Sequence, residues 1–388
     1  MNKDSIIYVA GGTGLVGSAL IRKLKEKGYK NIISTYHRKK PLEKDVKWHK
    51  VDLTNQNEVE KFFNKVKPEY VFLAAAKVGG IWANNIYRAD FIYQNLQIQN
   101  NIIYYSYKYK VKKLLFLGST CIYPKMSPQP IKEDYLLTAP LEYTNEPYAI
   151  AKIAGLKMCE SFNLQYETNF IAVMPTNLYG YNDNFDLETS HVLPALIRKM
   201  HLGKLLMKED WEGIKEDLNK HPLEGIDGTF SKEEIIKILK KYGISKERGK
   251  VKVEIWGTGK PKREFLWVDD LADACVYLME RVNFIDVVQI KYPELDLSNK
   301  TLKEIYPYYE IRNTHINIGT GEEISIKDLA FLVKDIVNFE GELYFNTDKP
   351  DGTPRKVTDV SLLRSLGWKH TTPLKEGIEK LYKWYIKN

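Results

Sequence analysis

Cysteine is scarce in this chain. Cys121, Cys159 and Cys275 are the three in 388 residues, and no two form a Cys-x-x-Cys. That argues against a disulfide framework and a thiolate zinc centre, and no metal site is expected. A reducing compartment fits, and the expected location is the cytoplasm. Long apolar runs are also lacking: none reaches the roughly 20 residues that span a bilayer. The opening residues MNKDSIIYVA lead directly into an apolar strand without a signal-peptide pattern. Basic blocks are absent too. The 58 Lys and Arg and the 50 Asp and Glu are spread along the chain, leaving a modest net charge of +8. Neither nucleic acid nor a membrane is therefore an expected partner.

What is present is a regular alternation of short apolar runs with helical periodicity. Strands are expected at Ile6–Val9, Ile32–Thr35, Val46–Val51, Tyr70–Ala74, Lys113–Leu117 and Phe170–Met174. Helices separate them, among them Ala89–Lys108 and Tyr148–Tyr166. This pattern predicts an α/β fold with a doubly wound parallel sheet over residues 1–176, and residues 264–282 are a candidate to return to it. Residues 177–263 and 283–388 are less regular and are expected to form a smaller α/β substrate-binding domain. Two stretches there read as additions, 208–250 and 283–313. In the first, Ser231 and Glu234 have capping-box spacing, with Ile235, Ile238, Leu239 and Tyr242 as a stripe and Gly243 as a stop.

The first turn, Gly11-Gly12-Thr13-Gly14-Leu15-Val16-Gly17, places GxxGxxG between a strand and a helix. Glycines let backbone approach a pyrophosphate at a helix N-terminus. The second strand ends STYHRKK, with no acid for a ribose 2′-hydroxyl. Arg38 and Lys39 there suit a 2′-phosphate, so NADP(H) is expected over NAD(H). Asp52, after the third strand, is a candidate for the adenine amino group or a plain surface turn.

Tyr148-Ala-Ile-Ala-Lys152 is YxxxK, which puts both side chains on one helix face. A nearby ammonium is expected to lower the phenol pKa and make Tyr148 a usable acid or base. Upstream, LLFLGSTCIYPK ends a strand with Ser119 and Cys121 two apart, on one side if strand geometry persists. Taken alone, Cys121 reads more readily as a small buried hydrophobe and His191 as a capping or packing residue.

GxxGxxG, Ser119, Tyr148 and Lys152 together resemble the extended short-chain dehydrogenase/reductases. Within them the chain is similar to the GDP-L-fucose synthase family, on LAAAKVGGIWANN, FIYQNLQIQNNII, LLFLGSTCIYPK, NEPYAIAKIAGLKMCESFN, VMPTNLYG, SHVLPALIRK, WGTGKPKREFLWVDD and KPDGTPRK. The resemblance covers nearly the whole chain outside the two added stretches. It implies epimerisation at C3 and C5 of a GDP-4-keto-6-deoxy sugar followed by NADPH reduction at C4. Cys121 and His191 fall on the family's epimerising acid and base, and Ser119, Tyr148 and Lys152 on its reducing centre. The resemblance adds Leu53, Leu117, Pro175, Asn177, Leu178 and His191 to the cofactor's surroundings. It also places Asn177, Lys199, Trp256, Arg263 and Asp351 around the GDP-sugar, and it implies a homodimer built on the two long helices. Tyr181 stands where the family usually has Pro, which puts the sugar-pocket loop in question. Two alternatives stay open: a reductase acting only at C4 of a related GDP-keto sugar such as a heptose, and a silent NADP-binding regulator.

Overall fold

The computed structural model describes residues 1–37, 41 and 44–388, and of Ile81 and Trp82 the backbone alone. Arg38 and Lys39 lie outside the described residues.

The alternation read from the sequence is a single parallel sheet. Its strands are β1 (Ile7–Ala10), β2 (Ile32–Tyr36), β3 (Lys47–Lys50), β4 (Tyr70–Leu73), β5 (Lys113–Leu117) and β6 (Phe170–Pro175). The strand Ile316–Ile318 completes it beside β6. Across the sheet the order is Ile316–Ile318, β6, β5, β4, β1, β2, β3. β1 lies central and is buried at every position, as a strand covered on both faces must be. Helix α1 (Leu15–Glu26) follows β1, α2 (Gln56–Val66) follows β3, and a short α3 (Ile81–Ile86) leads into α4 (Arg88–Lys108). Helix α5 (Glu146–Tyr166) packs along α4, with Pro147 in its first turn. Proline is tolerated there because a first-turn N–H needs no helical partner.

Residues 283–388 do not all join the smaller half, contrary to expectation. Ile316–Ile318 is a sheet strand, and the segment before it builds a small core from Phe284, Val288, Leu302 and Ile305 against Leu164 of α5. The reason the strand was hard to see is Asn317. It is wholly buried, and its side-chain amide donates to Ile131 O at 3.0 Å while its backbone N–H donates to Glu133. A satisfied polar residue thus interrupts what would read as an apolar run. Within residues 264–282, Phe265–Trp267 pairs with Asn177–Tyr179 apart from the seven-stranded sheet, and the helix after it packs on that sheet's core. Val268–Arg281, here α9, buries Leu271, Cys275 and Leu278 in the core shared with Ile21 and Leu24 of α1.

The second core contains the 208–250 stretch. Helix α6 (Val192–Met207) is followed by α7 (Trp211–Lys220) and α8 (Lys232–Lys241). Ile214, Leu218, Ile235 and Leu239 are buried with Leu196 and Ile197 of α6. The capping box is formed: Glu234 N–H donates to Ser231 Oγ, and Ser231 N–H to the Glu234 carboxylate at 3.0 Å. Gly243 ends the helix at φ +79°. Among the described residues no helix is long and apolar enough to cross a membrane.

Candidate active site

A cleft of about 2320 Å³ runs between the C-terminal ends of the sheet strands and the second core. That edge is where open α/β sheets bind ligands. One end is formed by the glycine turn. Gly11 has φ +85°, and a Cβ on Gly17 would lie 2.0 Å from Gly11 O, so the helix can sit this close to the turn only without a side chain. A Cβ on Gly14 would meet nothing in the protein closer than 3.6 Å, so this residue leaves room on the cleft side. No side chain caps α1, and its first turn carries no acid. The turn therefore suits a dinucleotide pyrophosphate: orphan N–H groups at a helix N-terminus, a cradle free of side chains, and no opposing negative charge. Thr13, Leu15 and Val16 line the same end.

Gly12 departs from expectation. It does not line the cleft; its N–H donates to Ser34 Oγ at 3.2 Å, and a Cβ there would strike Ser34 and Ile21. Its smallness serves packing on β2. Asp52 and Leu53 do line the cleft, but one Asp52 oxygen already accepts from Thr54 N–H and Oγ, at 2.9 and 2.7 Å. Gly17→Ala is expected to distort the turn and weaken NADPH binding about 5- to 150-fold, if an overpacking cost of ~1–3 kcal/mol falls on the bound state. The same variant should lower the melting temperature, whereas Gly14→Ala should impair binding without lowering it. Fluorescence titration with NADPH and thermal unfolding check both.

At the centre of the cleft the backbone leaves strand geometry. β5 stops at Leu117, and Thr120–Ile122 is one turn of 3-10 helix. Ser119 Oγ caps that turn, accepting from Cys121 N–H at 3.2 Å. Ser119 and Cys121 both face the cleft through this turn, not through strand alternation. The Tyr148 phenol faces the Ser119 hydroxyl, which favours its ionised form. Lys152, one turn further along α5, is 3% exposed; its ammonium donates to Leu117 O at 2.8 Å and lies 5.7 Å from the Tyr148 ring centre. Burial lowers the Lys152 pKa to about 7. The phenol, expected to be lowered, is pushed up instead: burial is the main cause, Cys121 adds to it, and the Ser119 hydroxyl opposes it. The ammonium addresses a backbone oxygen and not the phenol, so burial dominates. Such a phenol keeps its proton at neutral pH.

His191 opens α6 with its side chain uninvolved in capping and facing the cleft. Its pKa is held below the ordinary value, first by the atoms crowding it and then by the Lys356 ammonium. Lys356 was not singled out from the sequence. Its Nζ lies 3.7 Å from Cys121 Sγ. Leu117, Pro175, Asn177 and Leu178 line the cleft beside this group, and Asn177 donates to Glu264 O at 2.8 Å.

The far end carries Lys199, Trp256, Arg263 and Asp351. Lys199 donates to Glu254 O at 3.2 Å, and burial lowers its pKa to about 8. Arg263 donates to Thr353 O at 2.6 Å. Trp256 is 61% exposed, with Lys349 Nζ 5.3 Å from its ring centre. Asp351 is engaged within the protein, where its two oxygens accept from Thr258 N–H and Oγ at 2.8 and 2.7 Å. It clamps the turn after Trp256 and is less available to a ligand than its position suggested. Glu224, Lys241 and Tyr242 of the 208–250 stretch form part of the wall, with Tyr242 donating to Glu224 at 2.8 Å. Tyr181 is not in the wall; it packs edge-on to Trp267 at 5.0 Å and under the Arg22 guanidinium.

Glu264 holds the two halves of this wall and carries no signal in sequence. Fully buried, it accepts from Thr320 N–H, Gly321 N–H and Thr358 N–H at 2.6, 2.7 and 2.8 Å. Among the described residues no cluster of three or more His, Cys, Asp or Glu could hold a metal ion.

A seven-stranded parallel sheet, a glycine turn at its first helix and a Ser–Tyr–Lys centre define a dinucleotide-binding short-chain dehydrogenase/reductase fold. The chain belongs to the NAD dependent epimerase/dehydratase family, whose model matches residues 7–216 and 227–290. It is 46% identical over 387 residues to GDP-L-fucose synthase 1 of Arabidopsis thaliana, spanning 100% of this chain and 95% of that protein. A GDP-6-OMe-4-keto-L-xylo-heptose reductase from Campylobacter jejuni is 45% identical, with TM-score 0.84 and coverage of 100% and 99%. A GDP-D-glycero-L-gluco-heptose synthase from the same organism, solved in the presence of NADPH, is 44% identical, with TM-score 0.83 and 99% coverage of each chain.

Proposed function

We propose that this chain is an NADPH-dependent enzyme that epimerises C3 and C5 of a GDP-4-keto-6-deoxy sugar and reduces C4. The observation that carries this reading is the convergence of two kinds of proton-handling group on one short turn. Ser119 stands beside Tyr148 on one side, and Cys121 meets Lys356 on the other, with His191 entering the same cleft. The glycine turn and Lys152 would hold NADPH, which supplies hydride to C4. Tyr148, protonated, gives its proton to the C4 oxygen, and Ser119 orients that oxygen and stabilises its developing charge. A 4-keto group acidifies the C3 and C5 protons, and inversion needs groups on opposite faces of the ring. Cys121 and His191 take those roles. Lys199 and Arg263 face the diphosphate, and Trp256 offers its exposed ring to the guanine.

The heptose enzymes among the solved relatives support a second reading, C4 reduction alone on a GDP-keto-heptose. Incubation with NADPH and GDP-4-keto-6-deoxy-mannose in deuterated water separates the two. Deuterium at C3 and C5 together with NADPH oxidation is the expected result; oxidation confined to a pre-epimerised or heptose ketone supports the second reading. A failure to oxidise NADPH with any GDP-ketosugar overturns both. A homodimer through α4 and α5 belongs to this proposal, supported by the exposed Tyr104, Ile150 and Tyr166 on those helices. So does a cytoplasmic setting, supported by three free thiols.

A further inference from the structure

We propose that Lys356 is a positioning residue for Cys121, its ammonium holding the sulfur as thiolate and aiming it into the sugar end of the cleft. The contact is a Nζ–Sγ distance of 3.7 Å between residues 235 apart in sequence. It is held on both sides. The short strand Arg355–Lys356 runs parallel to Lys262–Arg263, so Lys262 pairs with Arg355 and Arg263 with Lys356. The outer pair shares a counter-ion: Lys262 and Arg355 both reach Glu323, at 3.1 and 2.6 Å. The inner pair, Arg263 and Lys356, faces the cleft, and among the described residues neither has a carboxylate partner. Two inward cations without counter-charge make a site for anions. Arg263 lies toward the diphosphate end, and the thiol is the group beside Lys356.

The strand and the cysteine loop are also zipped together. Ile131 N–H donates to Val357 O and Asp359 N–H to Ile131 O, each at 2.8 Å. Val357 N–H donates to Gln129 Oε1 at 2.9 Å, and the buried Glu264 accepts from Thr358 N–H and Oγ. The ammonium is thus carried on a strand whose next residues are bonded to the loop that bears the sulfur. A loosely attached surface lysine would have none of this. The groups that face Cys121 or its cation from other elements are the Tyr148 phenol of α5, His191 at the start of α6, and Arg263, while Lys356 is the cation in contact with the sulfur. A neighbouring ammonium favours a thiolate over a thiol, and the same charge adds to the crowding that holds the His191 pKa down.

The use of that thiolate in epimerisation rests on the function proposed above; the ion pair does not. The test reads the thiol directly. Cys159 and Cys275 are 1% and 0% exposed, so iodoacetamide on the intact folded chain reports Cys121, with peptide mapping to verify the site and Cys121→Ser as the blank. Lys356→Met is expected to move the midpoint of the alkylation pH profile upward by about one unit or more, and to slow alkylation at pH 7 about tenfold. Lys356→Arg, which keeps the charge, should restore most of the rate. Superimposable profiles for the wild-type chain and Lys356→Met would overturn the proposal, as would an Arg variant no faster than the Met variant. A shifted profile in a chain that exchanges no deuterium at C3 or C5 would uphold the ion pair and remove the epimerase reading alone.

Discussion

Tyr148→Phe should lower NADPH oxidation with a GDP-4-keto sugar by about 10²- to 10⁴-fold, the range that one positioned proton donor contributes. The change deletes one oxygen and leaves the ring, so α5 keeps its contact with Phe91, whose ring centre is 6.4 Å away. NADPH binding should persist, because the glycine turn proposed to hold the pyrophosphate is untouched. The expected split is a collapsed turnover number with a nearly unchanged Kd for NADPH, measured by stopped-flow absorbance and fluorescence titration. A Phe variant within threefold of the wild-type rate would move the proton donor elsewhere. The state of the group explains the size of the effect. Burial keeps the phenol protonated, which suits reduction, where a proton must be given to the C4 oxygen. Lys152, lowered by burial to about 7, changes charge near neutral pH in the free protein. Raising the pH through that value discharges the ammonium next to the phenol, so any part of the rate that depends on its charge should fall in that direction.

Asp217→Ala should destabilise the protein by about 3–5 kcal/mol, as expected when one member of a buried ion pair is removed and its partner is left charged. Arg198 is 0% exposed, and its Nε and Nη2 donate to Asp217 Oδ1 at 3.0 and 2.9 Å. It also donates to Phe185 O at 3.1 Å and to His221 O, while the Tyr385 hydroxyl donates to the other Asp217 oxygen. Without the carboxylate, a guanidinium remains in the core with backbone oxygens alone. The pair joins α6 to α7, so the 208–250 stretch is tied to the helix that carries His191 and Lys199. Loss of stability in urea unfolding should therefore be accompanied by weaker GDP-sugar binding, while NADPH binding at the opposite end of the cleft changes little. A stability loss below about 1 kcal/mol, the level of an exposed pair, would contradict this account.

Which parts of the molecule could be read from sequence follows from the range over which each is determined. The six strands from Ile7 to Pro175, the glycine turn, YxxxK and the Ser231–Glu234 capping box are local. Each rests on residues within about a turn or a strand length, where apolar period, glycine placement and cap chemistry act directly. The features that escaped are those set by partners far along the chain. Ile316–Ile318 is three residues with a buried Asn317 whose partners, Ile131 and Glu133, lie more than 180 residues earlier. Glu264 looks like any surface acid until the backbone of residues 320–358 folds around it. Gly12 shares a motif with Gly14, yet one packs on Ser34 and the other opens to the cleft.

Sequence alone determined the parallel sheet, the dinucleotide turn and the identity of the side chains available for reduction and proton transfer, because periodicity and short spacings encode them. Tertiary structure decided what state those side chains are in. It raised the Tyr148 pKa where spacing suggested lowering, engaged Asp351 with Thr258, and set Lys356 against Cys121. Burial and charge proximity depend on which distant segments meet, and no local pattern in the chain carries that information.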